Sequence, residues 1–287
     1  MYDNNYKHFK IEKRDTALIL YLNNPPRNSI DESFFIELQD IIEKLNSDTD
    51  VISVIITTAL SKIFTVGADL RDLVSKYGSK RKMKSGMYIL DVGHMTMEMI
   101  EESPKPFIIA YKGLSYGGGI ELGCACDIRI ASEDVTFAMP ETRVAFSPGW
   151  GGSTRLPRII GVGTAKKLIF SGEPINASEA LRIGFIDEIA PKNKVLESAL
   201  KIARNIAKGC PTSIAITKKT INEGMRLSLE EAIDREKIYF IENALSLEWS
   251  EGLGAFLHKK EPKFKRIGKK ELEDIAGTIS VSKRDNK

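Results

Sequence analysis

The sequence predicts an α/β fold, and two observations support that prediction. Over about the first 200 residues, short continuous apolar runs alternate with segments whose apolar residues recur at helical spacing. Beyond that point only the helical spacing continues. We therefore expect an α/β core over residues 1–200, a helical region over 201–267 and a polar tail over 268–287. With 287 residues, of which 42% are hydrophobic, the chain is long enough to bury a sizeable core.

The N-terminal part predicts a strand, a helix and a second strand. Thr16–Asn24 is an apolar run that closes with two asparagines ahead of two prolines, which is typical of a buried strand. Asp31 is a suitable N-cap for the helix that follows. The apolar face of that helix consists of Phe34, Leu38, Ile41, Ile42 and Leu45. Ser53–Thr57 is again a short apolar run and predicts the second buried strand.

The middle of the chain predicts one longer helix and several short elements. The longer helix lies around residues 85–102 and should end at the two prolines that follow it. Phe107–Tyr111 predicts a third buried strand, which leads into a short helix over Gly119–Cys126. Two further short strands are expected over residues 127–132 and 135–141.

The C-terminal part predicts capped helices. Asn176, with Glu179 three residues later, resembles a capping box, and Gly184 should close that helix. Ser228–Glu231 is a second capping box, and it begins a long helix that runs through Leu245.

The charge and composition of the chain limit its partners. The 42 basic and 39 acidic residues leave a formal charge of +3, too small to favour nucleic acid or an anionic membrane as the main partner. No secretory signal and no run of about 18 apolar residues is visible, so we expect no membrane span and a cytoplasmic location. Cys124, Cys126 and Cys210 lack zinc or redox spacing and should be buried and reduced. The three histidines lie far apart, so no metal site is predicted.

A basic run at Ser75–Lys84 is the main local concentration of charge. Its cations are Lys76, Lys80, Arg81, Lys82 and Lys84. A solvated loop is the simplest interpretation of such a run, although its cations would also suit phosphate groups.

The first candidate site segment is Ile63–Leu70, with the sequence IFTVGADL. Its Gly-Ala pair lets the backbone approach a ligand closely, and Asp69 can cap a helix that follows. Taken alone, this segment is better explained as an ordinary turn between a strand and a helix.

The second segment is Ser115–Leu122, with the sequence SYGGGIEL. Three glycines ahead of a helix leave its first amides open, and these amides with the helix dipole form a site for an anion. Neither the P-loop pattern nor the Rossmann fingerprint is matched, which favours an oxyanion smaller than phosphate. Glu121 lies in the first helical turn, where complementarity to the dipole alone would also explain it.

The third segment is Ala138–Arg158, which contains Glu141 just after a proline and Trp150 among glycines. One glutamate in this position is explained equally well as a solvated loop acid.

Taken together and in this order, the three segments resemble the crotonase (enoyl-CoA hydratase/isomerase) superfamily. The resemblance covers most of the chain, from YLNNPPRNSID to EGLGAFLHKKEPKF. It implies the crotonase (ClpP-like) fold, a spiral of repeated ββα units with a helical C-terminal region that assembles as a homotrimer or homohexamer. It also implies acyl-CoA thioester substrates of fatty acid metabolism, with coenzyme A as part of the substrate and no separate cofactor or metal.

The resemblance also implies a role for each matching residue. The backbone amides of Ala68 and Gly118 would form the oxyanion hole for a thioester enolate. Glu141 would be the main acid and base, and Glu121 would position the water. The residues expected to line the substrate are Ala68, Asp69, Leu70, Arg71, Gly118 and Trp150. The implied activity is that of an enoyl-CoA hydratase, a hydro-lyase that adds water to a 2-enoyl-CoA by syn addition.

Trp150 departs from the pattern of the hydratases, which have a small residue at this place. An indole there would reshape the acyl pocket, so an isomerase, hydrolase or decarboxylase of the same superfamily stays an alternative. The presence of both glutamates favours the hydratase. A non-catalytic RNA-binding or scaffold protein is a third possibility, supported by the basic run and opposed by the near-neutral total charge.

Overall fold

The structure is a computed structural model that describes residue 2 and residues 5–79, 88–246, 248–266 and 268. In chain order its strands are β1 (Phe9–Arg14), β2 (Ala17–Leu22), β3 (Ser53–Thr58), β4 (Ile63–Thr65), β5 (Phe107–Tyr111), β6 (Leu114–Tyr116), β7 (Ile128–Ser132), β8 (Thr136–Ala138), β9 (Ile175–Asn176) and β10 (Glu188–Ala190). They form two sheets, and the α/β prediction is confirmed.

The two sheets differ in size and role. The larger has the strand order β1-β2-β3-β5-β7-β10, and all its pairs are parallel except β1 with β2. The smaller has the order β4-β6-β8-β9, in which β4, β6 and β8 are parallel and β9 is antiparallel to β8.

Helices cover the sheets and form the C-terminal region. They are α1 (Glu32–Ser47), α2 (Leu70–Tyr77), α3 (Tyr88–Glu102), α4 (Gly118–Ala125), α5 (Leu156–Ile160), α6 (Val162–Ser171), α7 (Ala177–Arg182), α8 (Val195–Ile206), α9 (Pro211–Gly224), α10 (Leu229–Ala244) and α11 (Glu248–Leu257), with a 3₁₀ turn at Glu141–Val144. In the part of the chain that the structure describes, none of them combines the length and hydropathy that a membrane span needs.

The inner strands β2, β3 and β5 of the larger sheet are buried on both faces, which explains why they are continuous apolar runs. Side chains such as Leu20 and Ile56 face the main core, which also contains the apolar face of α1. Their neighbours Ile19 and Ile55 face the opposite way and pack with the buried side of α8. Successive residues of a strand thus enter different cores, because side chains alternate between the faces of a sheet.

The helix caps predicted from the sequence are confirmed. The Asp31 side chain accepts a hydrogen bond from the amide of Phe34 at the start of α1. Asn176 caps α7 by accepting from Glu179, and Ser228 with Glu231 forms the complete capping box of α10. These signals were readable in the sequence because each cap acts within three residues along the chain.

Several elements were missed. The strands β4 and β6 lie in segments that the sequence analysis treated as turns, and β1 was not predicted. A strand of three residues is too short to display an alternation of apolar and polar side chains. Of the smaller sheet the sequence predicted only β8, within the expected strand 135–141, and the pairing of its strands became visible only in the structure.

Two predictions fall wholly or partly outside the described residues. In the basic run, Ser75–Tyr77 belong to α2 rather than to a loop, and residues 80–84 lie outside the described ranges. Lys76 lies 2.9 Å from Glu32 and 3.1 Å from Asp72 in ion pairs. Of the predicted tail, only Gly268 is described.

Candidate active site

The smaller sheet brings the three candidate segments together. Its strands β4, β6 and β8 are parallel neighbours, and each is followed directly by one segment. The carboxyl ends of adjacent parallel strands lie at one edge of a sheet, where ligands of α/β proteins commonly bind. Residues 66–69, 117–121 and 139–141 therefore converge, although they are far apart along the chain.

A cavity of about 410 Å³ opens at this edge. Six of the residues predicted for the site line it, namely Ala68, Leu70, Gly118, Glu121, Glu141 and Trp150. Most of the remaining lining is apolar and includes Leu73, Val74, Tyr77, Ile89, Leu90 and Phe146. An apolar cavity with a few convergent polar groups is typical of a small-molecule site.

Asp69 and Arg71 do not line this cavity. The Asp69 carboxylate caps α2 by accepting from the amides of Arg71 (3.0 Å) and Asp72 (3.1 Å). The hydroxyl of Ser29 donates to the same carboxylate at 3.1 Å. Asp69 thus holds the start of the helix whose first residue, Leu70, does line the cavity. A direct contact of Asp69 or Arg71 with substrate stays a prediction.

Two backbone amides in the cavity lack an acceptor. Within the described residues, the N–H groups of Ala68 and Gly118 make no hydrogen bond. Their segments lie against each other, because a Cβ placed on Gly67 would lie 3.2 Å from the nitrogen of Gly118. Open amides on adjoining loops, the second at a helix start, are suited to stabilise a developing oxyanion.

Hydrogen bonds on either side hold these amides in place. The amide of Ile30 donates to the carbonyl of Gly67 (2.8 Å), and the amide of Gly117 donates to the carbonyl of Ala138 (2.9 Å). Gly117 has φ of +50°, and a Cβ there would meet Glu141 Oε1 at 2.7 Å. A glycine is therefore required at this position on both conformational and steric grounds.

Glu121 is an anchored, buried carboxyl group. Its side chain is 2% exposed, and Oε1 accepts hydrogen bonds from the amides of Trp150 and Gly152, both at 2.8 Å. Burial raises the pKa of Glu121 to about 7, the negative charge of Glu141 adds to that rise, and the two amides oppose it. The group is thus held in one orientation while it still titrates near neutral pH.

Glu141 is the freer of the two acids. Its Oε2 atom is buried and has no hydrogen-bond partner within the described residues, and Oε1 lies against the α-carbon of Gly117. Burial raises the pKa of this carboxyl as well. The turn that carries it is tied to α6, where Thr142 Oγ1 donates to the carbonyl of Ile169 at 3.0 Å. A half-buried carboxyl group with one oxygen unpartnered is well suited to take up and give back a proton.

The raised pKa of Glu121 predicts a pH-dependent stability. The folded protein keeps this proton up to a pH of about 7, whereas the unfolded chain loses it near the ordinary value of 4.5. The free energy of unfolding should therefore decrease as the pH rises from 4.5 to about 7. Above that pH this group causes no further decrease. This decrease is absent in Glu121→Gln. The free energy of unfolding of the variant, relative to that of wild type, should therefore rise by roughly 3 kcal/mol between pH 4.5 and 8.

Urea unfolding of both proteins at pH 5, 6, 7 and 8 measures this difference. The exposed Glu230→Gln variant on α10 is the matched control and should follow wild type at every pH. A stability difference between Glu121→Gln and wild type that does not change with pH would contradict the prediction.

Sequence reasoning missed the residues that position the Glu121-binding loop. Arg155 forms a two-point ion pair with Glu101, with Nε–Oε1 at 2.7 Å and Nη2–Oε2 at 3.1 Å. Both side chains are mostly buried, and Glu101 also pairs with Arg226 near the end of α9. This ion pair holds the loop that contains Trp150 and Gly152 against α3. The only signal in the sequence was an arginine and a glutamate 54 residues apart, which no spacing rule connects.

Within the described ranges, no three His, Cys, Asp or Glu side chains are grouped so that they could hold a metal ion. The three cysteines are buried and free of disulfides, as predicted.

Comparisons with known proteins identify the family of this chain. The family model described as Enoyl-CoA hydratase/isomerase matches residues 12–267. A crotonyl-CoA hydratase from Syntrophomonas wolfei is 32% identical over 260 residues, which is 90% of this chain and 98% of the relative. A short-chain-enoyl-CoA hydratase from Clostridium acetobutylicum is 32% identical over 88% of this chain and 95% of its own. The crystal structure of an enoyl-CoA hydratase from Bacillus anthracis superposes with a TM-score of 0.84 at 34% identity, covering 91% of this chain and 100% of that one.

Proposed function

The chain belongs to the enoyl-CoA hydratase/isomerase family and has the crotonase fold, and on that premise we propose that it is a hydro-lyase that hydrates 2-enoyl-CoA thioesters. The observation that carries this proposal is the presence of two carboxyl groups with raised pKa, one buried and one half-buried, and two open amides around one apolar cavity. The names of the relatives from Syntrophomonas and Clostridium support a short enoyl group as the substrate.

The open amides determine where the thioester binds. The carbonyl oxygen accepts hydrogen bonds from Ala68 and Gly118, and these bonds strengthen as the oxygen gains charge in the enolate. Such donors act on the transition state more than on the bound substrate, so they raise kcat. The carboxyl groups of Glu121 and Glu141 then lie beside C2 and C3 of the enoyl group.

The two carboxyl groups divide the proton chemistry. Glu121, held by two amides, accepts a hydrogen bond from the water and positions it. The water oxygen forms a bond to C3, the π electrons of the C2–C3 double bond move to the thioester oxygen, and the water proton passes to Glu141. When the enolate collapses, Glu141 returns a proton to C2. Because one carboxyl group serves both carbons from one face, the addition is syn.

Hydration of crotonyl-CoA tests this proposal. We expect 3-hydroxybutyryl-CoA as the product, detected by mass spectrometry, and NMR of the product formed in D₂O should show syn addition. The same incubation with longer enoyl-CoAs, a 3-enoyl-CoA and carboxyacyl-CoAs tests the other chemistries of the superfamily. A shifted double bond, free coenzyme A or a product that has lost CO₂, without hydration of crotonyl-CoA, would contradict the proposal.

We also propose a homotrimer or homohexamer that assembles through the helical region 201–267. Support comes from apolar side chains that α9, α10 and α11 leave exposed, among them Met225, Leu229, Phe240, Leu245 and Phe256. Apolar patches of this kind usually mark an interface between proteins. Light scattering during size-exclusion chromatography should give three or six times the mass of one chain. A single-chain mass at micromolar concentration would contradict this assembly.

A further inference from the structure

The Trp150 side chain lies at the inner end of the cavity, beside the proposed oxyanion hole. It is 4% exposed, yet it lines the cavity together with Gly118. A Cβ on Gly118 would lie 2.7 Å from Cζ3 of the indole, so the ring is in contact with this glycine. Any group that extends inward from the carbonyl site must therefore pass the indole.

The indole is held rigidly in this place. Its Nε1 donates to the carbonyl of Ile89 at 3.2 Å, and its ring packs edge-on against Phe35 with 4.8 Å between the ring centroids. The backbone amide of Trp150 donates to Glu121. Because its backbone amide, its ring nitrogen and its ring all make contacts, the side chain has a fixed position in the cavity lining.

Gly93 is the place in α3 where the indole is seated. A Cβ on Gly93 would lie 2.7 Å from Nε1 and 3.0 Å from Cγ of Trp150. Both atoms belong to a buried ring that also contacts Phe35 and Gly118, so the ring has little freedom to retreat. A glycine inside a helix lowers stability by about 0.5–1 kcal/mol relative to alanine. At position 93 the absence of a side chain makes room for the indole of Trp150.

We propose that Trp150, seated on Gly93, closes the inner end of the acyl pocket and restricts the enzyme to short acyl groups. This inference rests on the proposed function, because it takes the thioester carbonyl to lie at Ala68 and Gly118. With the carbonyl there and C2 and C3 beside the two glutamates, the chain beyond C3 meets the indole. Each further methylene then has to displace a packed ring, and a close-packed interior resists this.

The other route for a longer chain is the mouth of the cavity. Val74 on α2 and Phe146 after the 3₁₀ turn line the cavity and are 64% and 42% exposed. A chain that turned outward between them would not touch Trp150. The two routes therefore predict opposite effects when the indole is made smaller.

Dissociation constants of saturated acyl-CoAs distinguish these routes without any hydration step. We expect wild type to bind butyryl-CoA at least about tenfold more tightly than decanoyl-CoA. Trp150→Ala should tighten decanoyl-CoA binding about tenfold or more over wild type, so that the preference for butyryl-CoA is lost. Because loss of a buried tryptophan is strongly destabilising, Trp150→Phe is the second variant and should lie between the two.

Two further variants complete the test. Trp249→Ala changes the tryptophan on α11, which does not line the cavity, and should leave the ratio of butyryl- to decanoyl-CoA affinity unchanged. Gly93→Ala places a Cβ against the seated indole, so the ring has to leave its position and the wild-type ratio of butyryl- to decanoyl-CoA affinity should change. Thermal unfolding of every variant confirms that it is folded.

The inference is overturned if wild type binds decanoyl-CoA as tightly as butyryl-CoA, or if folded Trp150→Phe and Trp150→Ala keep the wild-type dependence on chain length. These outcomes are independent of catalysis. A protein that shows the expected binding but hydrates no enoyl-CoA contradicts the proposed function alone, and one that hydrates crotonyl-CoA with an unchanged binding profile contradicts this inference alone.

Discussion

Glu141→Gln is expected to lower kcat for crotonyl-CoA hydration by about 100- to 10,000-fold, the usual contribution of a positioned acid and base. Glutamine keeps the size of the side chain but neither takes nor returns a proton. Glu141 Oε2 has no hydrogen-bond partner within the described residues, and the carboxyl group is bonded there only to its own backbone, so no contact with another residue is lost with the charge. Butyryl-CoA should therefore bind the variant within about threefold of wild type, and steady-state kinetics with a binding titration measures both quantities.

The same variant has a second, non-kinetic consequence. The charge of Glu141 contributes to the raised pKa of Glu121, so its removal should lower the pKa of Glu121 from about 7. Carbon-13 NMR of labelled glutamate follows this titration directly. Glu230→Gln is the matched control and should keep both the wild-type kcat and the wild-type titration of Glu121. A Glu141→Gln variant with near wild-type kcat would remove Glu141 from the mechanism.

Gly118→Ala is expected to lower kcat by about 100- to 1,000-fold, which is the typical loss when one oxyanion donor is removed. The new Cβ would lie 2.7 Å from Cζ3 of Trp150 and 3.1 Å from Cδ1 of Ile30. Both neighbours are buried and packed, so the backbone of residue 118 has to shift and carry its amide away from the carbonyl. The loss should appear mainly in kcat, because the amide stabilises the enolate more than the bound thioester.

Two further variants test whether the loss of kcat comes from the displaced amide of Gly118. Gly163→Ala in α6 places its Cβ in open space and should leave kcat unchanged. Combining Gly118→Ala with Trp150→Phe reduces the clash and should restore part of kcat, so that the two effects are not additive. If Gly118→Ala is folded and retains wild-type kcat, its amide is not part of the oxyanion hole.

Much of the fold was predictable because its signals are local. The caps at Asp31, Asn176 and Ser228 each act within three residues. The apolar runs of the larger sheet were equally clear, since strands buried on both faces contain few polar residues. In the smaller sheet, β4 and β6 were not predictable, because each is three residues long and their position depends on pairing with each other.

The candidate site also combines features that the sequence predicted with features that only the structure shows. The residue types and their order identified Glu121, Glu141 and the amides of Ala68 and Gly118 as candidates. Whether Glu121 was merely an acid at a helix start was open in the sequence. Its contacts with the amides of Trp150 and Gly152, 29 and 31 residues away, answered that question. The partnership of Trp150 with Gly93 likewise has no signature in the sequence, because a single glycine within a helix has many explanations.

The sequence by itself determined the α/β class and the capped helix starts, and it named the candidate side chains of the site. These properties depend on residue type and on neighbours within one or two helical turns. Only the tertiary structure decided that three loops share one sheet edge, that Glu121 is anchored while Glu141 is free, and that an indole closes the cavity. Each of these depends on contacts between segments separated by tens of residues, and such contacts form only when the sheets and helices pack together.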